Sequence, residues 1–93
     1  MGNNLHVSYD LIAPEKNYDD VITAVKSLGD WANIHKSFWY VESGYTAAEA
    51  TEIIRKAADT NDKLYVVDAT NNTASWVNLG DDVASYIKRQ WNT

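Results

Sequence analysis

The chain has 93 residues, a length that favours a single domain spanning residues 1–93, because two halves would each be too small to bury a core. It contains no cysteine, which excludes disulfides, thiolate zinc sites and a cysteine nucleophile. The net charge of −5 counts against tight binding of DNA or RNA, because phosphate contacts require a basic face.

The first segment alternates between apolar and polar residues. Residues 5–11 read Leu-His-Val-Ser-Tyr-Asp-Leu, which predicts a half-buried strand ending before Pro14. A helix follows, with Asn17 as its candidate cap and Gly29 as a natural terminator. Its apolar positions recur at helical spacing and are Val21, Ile22, Val25 and Leu28.

The next stretch, residues 33–43, is rich in aromatic and β-branched residues and predicts a strand, bulged or kinked near Lys36 and Ser37. Gly44 ends it. Thr46 and Glu49 then have the spacing of a capping box, in which each side chain bonds a backbone N–H of the other residue. A second helix is therefore predicted, with one apolar face made by Ala50, Ile53, Ile54 and Ala57.

The last third contains two strand-like runs and a helical one. Residues 64–68 are almost continuously apolar, which suits a central strand buried on both faces. Residues 74–78 follow an Asn71-Asn72 turn and are predicted to pair back as a hairpin. After Gly80, an acidic start and a Lys88-Arg89 finish suit the dipole of a third helix.

These segments predict an α+β fold. Short connections and right-handed crossovers favour a ferredoxin-like β-α-β-β-α-β sandwich with one antiparallel four-stranded sheet, both main helices on one face and an added C-terminal helix. No apolar run approaches the ~18 residues of a membrane span, and the first residues lack the apolar segment of a signal peptide. We therefore expect a cytoplasmic protein without a membrane partner.

Several short motifs resemble one known family. They are Val-Ser-Tyr-Asp-Leu at 7–11, Ser-Phe-Trp-Tyr-Val-Glu at 37–42, Asn-Asp-Lys-Leu-Tyr-Val-Val at 61–67, and Trp76. Over nearly its whole length the chain resembles the small Cas2-like proteins, including the divergent SinR-type branch. The resemblance implies a ferredoxin-like fold and a homodimer in which carboxylates at the ends of the two first strands face each other. In catalytic members these carboxylates are proposed to hold a divalent metal for phosphodiester hydrolysis.

Carried over by position, the resemblance makes Asp10 the catalytic and metal-binding carboxylate, with Mg²⁺ or Mn²⁺ as the ion. Ser8 and Ser37 would orient water or phosphate. Magnesium keeps several waters and is often held by one or two carboxylates together with substrate phosphates, so two subunits with one Asp each would be sufficient.

His6 lies two pleats from Asp10 on the same strand face, either as its partner or as an ordinary structural histidine. The alternative for Asp10 is a carboxylate that caps a turn.

Acidic and aromatic residues form a candidate interaction surface. Its members are Glu15, Asp19, Asp20, Asp30, Trp39 and Trp76. The acids either dock a basic protein partner or make a solvated face. The aromatics, with Tyr40 and Tyr65, either stack nucleic-acid bases or fill a core or dimer interface.

Two hypotheses follow. In the first, the protein is a Cas2-like homodimer with weak or vestigial metal-dependent nuclease activity at Asp10. In the second, it is a non-enzymatic acidic protein-binding module, such as an inhibitor of a nucleic-acid-binding complex of the CRISPR type. The stretch 12–20 carries three acids and one Lys where typical family members are basic, which favours the second hypothesis.

Overall fold

A computed structural model describes residues 2–11 and 18–91 of the chain. The described elements, in chain order, are β1 (Asn3–Asp10), α1 (Tyr18–Lys26), β2 (Gly29–His35), β3 (Phe38–Ser43), α2 (Ala47–Ala57), β4 (Lys63–Asp68), β5 (Thr73–Val77) and α3 (Asp81–Trp91). The predicted cap Asn17 and the predicted strand breaker Pro14 lie outside the described residues.

The fold is α+β, with the described strands forming one antiparallel sheet in the order β2-β3-β1-β4-β5. β1 lies in the centre and pairs with β3 on one side and β4 on the other. The prediction of four strands is wrong, since the sheet has five.

The extra strand arises where one strand is predicted over residues 33–43, because the structure has two, β2 and β3, and β2 begins earlier, at Gly29. The chain instead turns at Lys36 and Ser37, so that β2 and β3 form a hairpin in which His35 lies opposite Phe38. The Asn33 side-chain amide donates to the backbone oxygens of His35 and Phe38, at 2.8 and 3.3 Å, and holds this turn. Lys-Ser is not one of the dipeptides that mark a tight turn, so the sequence pattern concealed the hairpin.

Helices α1 and α2 pack side by side against one face of the sheet. β1 contributes its odd-numbered residues to this face, because successive side chains of a strand point to opposite sides. The fully or almost fully buried apolar residues that form the core are Leu5, Val7, Tyr9, Val21, Val25, Leu28, Trp39, Val41, Ala47, Ala50, Ile54, Leu64 and Val66.

Strand β4 differs from its predicted environment. The apolar run 64–68 was expected to be buried on both faces, but burial alternates along it. Leu64 and Val66 lie in the core, whereas Tyr65 and Val67 are only half-buried on the opposite face. The reason is that α1 and α2 cover one side of the sheet only.

The start of α2 has the predicted capping box. The Glu49 backbone N–H donates to the Thr46 hydroxyl at 3.1 Å, and the Thr46 backbone N–H donates to the Glu49 carboxylate at 2.9 Å. The predicted β4–β5 hairpin and C-terminal helix are also present. None of the helices in the described ranges is long and apolar enough to span a membrane.

Gly29 does not act as a helix terminator with positive φ, because none of the described glycines has positive φ. It is the first residue of β2, where a Cβ atom would overlap the backbone carbonyl oxygen of Glu42 on β3. Gly29 is therefore required for the close approach of the two strands.

We predict that Gly29→Ala lowers the free energy of unfolding by about 1–3 kcal/mol, because backbone atoms must shift to admit the methyl group. Urea denaturation measures this change. Gly44→Ala is the matched control, since a Cβ at Gly44 meets no atom within 4 Å and should change stability little. Equal stability of the two variants would contradict the role given to Gly29.

Candidate functional site

Asp10 is the last residue of the central strand β1, and its side chain is exposed. It lies directly opposite Lys63, the first residue of β4, so a carboxylate and an ammonium group occupy neighbouring positions on the same face of the sheet. Its exposure leaves the carboxylate accessible to a cation or to a second protein chain.

Ser8 and Ser37 lie at the same end of the sheet as Asp10. Ser8 precedes Asp10 by two residues and therefore shares its face of β1. Ser37 lies in the β2–β3 turn, and its backbone oxygen accepts a 3.2 Å hydrogen bond from the N–H of Tyr9. The structure thus brings the three residues predicted to form the metal and phosphate site to the same end of the sheet.

The side of the sheet opposite α1 and α2 is here called the open face. Its half-buried residues include His6, Ser8, Phe38, Tyr40, Tyr65 and Trp76. Tyr65 and Trp76 are directly opposite each other on β4 and β5 and stack with ring centroids 6.1 Å apart. The open face therefore carries a group of aromatic rings.

His6 belongs to this aromatic surface. Its ring stacks on Phe38 at 6.1 Å and meets Tyr40 edge-on at 6.0 Å. His35 stacks on the same Phe38 ring at 5.3 Å, so Phe38 has an imidazole neighbour on each of two strands. Within residues 2–11 and 18–91, no three His, Asp or Glu side chains are grouped closely enough to hold a metal ion.

Trp39 lies on the other side of the sheet from Tyr40 and Trp76. It is only 4% exposed and belongs to the core, so it cannot contribute to an interaction surface of the folded monomer. Its indole Nε1 donates a 2.9 Å hydrogen bond to the hydroxyl of Tyr9. Successive side chains of β3 point to opposite faces, so Trp39 and Tyr40 cannot belong to one stacking platform.

The predicted acidic surface is divided between elements. Asp19 and Asp20 are exposed in the first turn of α1, and Asp30 is exposed on β2. Asp30 lies directly opposite Glu42 of β3, an acidic neighbour that the sequence pattern did not single out. Glu15 lies outside the described residues.

Tyr9 links the core to the turn beside Asp10. Its hydroxyl accepts the hydrogen bond from Trp39 and donates to the backbone oxygen of Lys36 at 3.4 Å. The Tyr18 hydroxyl donates to the same oxygen at 3.1 Å, and the two tyrosine rings meet edge-on. Burial raises the pKa of Tyr9 above its ordinary value, although the hydrogen bond from Trp39 opposes this effect.

Comparison of the chain with protein-family models, with curated proteins and with solved structures found no match.

We predict that Tyr9→Phe lowers the free energy of unfolding by about 1–3 kcal/mol at neutral pH, because the buried Trp39 indole loses its acceptor. Chemical denaturation of this variant beside Tyr45→Phe, which alters an exposed tyrosine, measures the difference.

The same pair of variants tests the titration of Tyr9. Because its pKa is raised in the folded state, the folded protein retains the phenol proton where the unfolded chain begins to lose it. The stability contributed by Tyr9 is complete below pH about 10 and is lost as the pH rises through the folded pKa. Tyr9→Phe should lack this decline, and an identical alkaline profile in both variants would contradict the assignment.

Proposed function

We propose that this protein is a Cas2-like homodimer in which the Asp10 carboxylates of two copies together hold Mg²⁺ or Mn²⁺ and support weak phosphodiester hydrolysis. The observation that carries the proposal is the exposed position of Asp10 at the end of the central strand, beside Ser8 and Ser37. The proposal includes a ferredoxin-like arrangement of the chain, which the order β2-β3-β1-β4 of the first four strands favours.

A dimer is needed because one carboxylate is a weak site for a divalent cation. Magnesium retains several waters and requires near-octahedral oxygen coordination, so two carboxylates facing each other across a two-fold axis would complete the protein's share of the ligands. The β3 part of the open face offers the surface for this contact, since Phe38 and Tyr40 there are covered by neither α1 nor α2. Aromatic rings are favoured at such interfaces.

The chemistry would follow from the groups that surround Asp10. A bound cation would polarise a phosphoryl oxygen and lower the pKa of a coordinated water. Lys63, opposite Asp10, would contribute a positive charge for the phosphate. The hydroxyls of Ser8 and Ser37 would orient that phosphate or the attacking water.

We expect Mg²⁺- or Mn²⁺-dependent cleavage of single- or double-stranded oligonucleotides by the wild type, and its loss in Asp10→Asn, which keeps the shape of the side chain but cannot supply the charge. Asp20→Asn, a change of the same kind on exposed α1, should cleave like the wild type. Light scattering should give the mass of a dimer. Cleavage unchanged in Asp10→Asn or absent from all three proteins removes the enzymatic proposal, and a monomer mass removes the shared site.

A second candidate is a non-enzymatic module that binds a basic protein, for example by occupying the nucleic-acid-binding surface of a CRISPR-type complex. The observation that favours it is the Asp30–Glu42 pair on β2 and β3. Like charges directly opposite on neighbouring strands destabilise a sheet, so a pair of this kind costs stability unless a cation neutralises it. Lys or Arg side chains of a partner would do so.

For the second candidate, we predict that Glu42→Gln raises the free energy of unfolding by about 0.2–1 kcal/mol at low salt, because it removes the like-charge repulsion. The gain should shrink as salt is added. The variant should also inhibit nucleic-acid binding by a purified CRISPR-type complex less than the wild type does. Glu52→Gln serves as the comparison, since Glu52 forms an ion pair with Arg55 and its removal should not stabilise the fold. A destabilised Glu42→Gln variant would exclude the interpretation.

A further inference from the structure

Helix α3 lies against the open face over β4 and β5 without closing on it. Two cavities of about 380 and 420 Å³ remain between the helix and the hairpin. Both are bordered by Asn72, Ile87 and Trp91, so they are neighbours, and the two together are here called the α3–hairpin groove. Its further lining includes Thr73, Ala74, Trp76 and Lys88 in one half, and Tyr65, Tyr86 and Gln90 in the other.

The helix is held at its C-terminal end. The indole Nε1 of Trp91 donates a 2.9 Å hydrogen bond to the backbone oxygen of Asn72 in the β4–β5 turn. Asn72 has a φ of 56°, in the left-handed region, which asparagine tolerates better than most residues. Trp91, held by this bond, lines both cavities of the groove.

The rest of α3 is poorly buried. No residue of the helix is buried, and Val83 and Tyr86 are 51% and 56% exposed although they lie on its apolar side. A helix whose function was only to cover the sheet would bury these side chains. Tyr86 lines one of the two cavities, so part of its exposed ring is available to a ligand there.

The walls favour a flat aromatic molecule. Trp76 of β5 and Trp91 of α3 both line the cavity of about 380 Å³, and Tyr65, which stacks on Trp76, lines the neighbouring cavity with Tyr86. Rings stack favourably on such surfaces in offset or edge-on arrangements. A volume of about 380 Å³ lies within the range of small-molecule sites, roughly 300–1,000 Å³.

The charge of the groove is opposite to that of the whole protein. Of the described residues that line the two cavities, Lys88 alone is charged, whereas the chain as a whole carries −5. The neighbouring Arg89 guanidinium lies 5.7 Å from the centroid of the Tyr86 ring and adds a second cation beside the groove. Asn72, Thr73 and Gln90 supply neutral polar groups.

We propose that the α3–hairpin groove binds a planar aromatic ring that bears one anionic group, with the ring stacked between Trp76 and Trp91 and the anion at Lys88. A phosphate on a nucleobase-containing molecule and a carboxylate on an aromatic acid share this chemistry. The site involves neither Asp10 nor a second copy of the chain, so it is independent of both functions proposed above.

The four tryptophans provide the test, because Trp76 and Trp91 line the groove whereas Trp31 and Trp39 lie on the other side of the sheet. Indole N–H signals in ¹H–¹⁵N spectra, assigned with single Trp→Phe variants, are followed during titration with adenosine monophosphate and, separately, with indole-3-acetate. We expect the Trp76 and Trp91 signals to shift and those of Trp31 and Trp39 to stay. The probe that binds more tightly identifies phosphate or carboxylate as the preferred anion.

The role of the anion is tested with adenosine and indole-3-acetamide, the uncharged counterparts of the probes, and with Lys88→Gln. Removing the charge from the probe or from Lys88 should weaken binding about tenfold, as expected when one charge-assisted contact is removed. Lys56→Gln, an exposed change on α2, should bind like the wild type. The proposal is overturned if neither anion shifts the Trp76 and Trp91 signals, or if all four indole signals shift alike. It is also overturned if the uncharged probes bind the wild type as tightly as the anions do, and the anions bind Lys88→Gln as tightly as they bind the wild type.

Discussion

The central strand β1 constrains the whole molecule. It is hydrogen-bonded to β3 on one side and to β4 on the other, so its side chains have only two directions available, above and below the sheet. Leu5 and Val7 enter the core beneath α1 and α2, and burying each of them contributes roughly 1.5–3 kcal/mol. A slip of one residue would exchange the two faces, so the register that builds the core also places Ser8 and Asp10 on the open face.

The two faces of the sheet have different surroundings. The face against which α1 and α2 pack contains the buried Tyr9–Trp39 hydrogen bond. The open face is only half-buried and carries three chemically distinct regions: Asp10 with Lys63 at one end of β1, the Asp30–Glu42 pair on β2 and β3, and the aromatic groove beneath α3. Each proposed activity uses a different region, so they can be separated by single substitutions.

Much of the secondary structure could be predicted from local patterns. Alternation identified β1, and helical spacing identified the three helices. The capping box at Thr46 and Glu49 was found from its spacing alone. The β2–β3 hairpin was missed because its turn at Lys36 and Ser37 lacks Gly, Pro and Asn. The turn is held instead by the Asn33 side-chain amide, which donates hydrogen bonds to backbone oxygens on both sides of it.

The sequence by itself determined the period of each element and therefore the types of residue that could share a face, because periodicity is a property of the local backbone. Only the tertiary structure decided which face would be covered. It placed Trp39 in the core and Tyr40 on the open face, brought Ser37 beside the end of β1, and assembled the groove from β4, β5 and α3. These placements depend on contacts between residues far apart in the chain, such as Trp91 with Asn72 and Asp30 with Glu42, and a local pattern contains no information about such pairs.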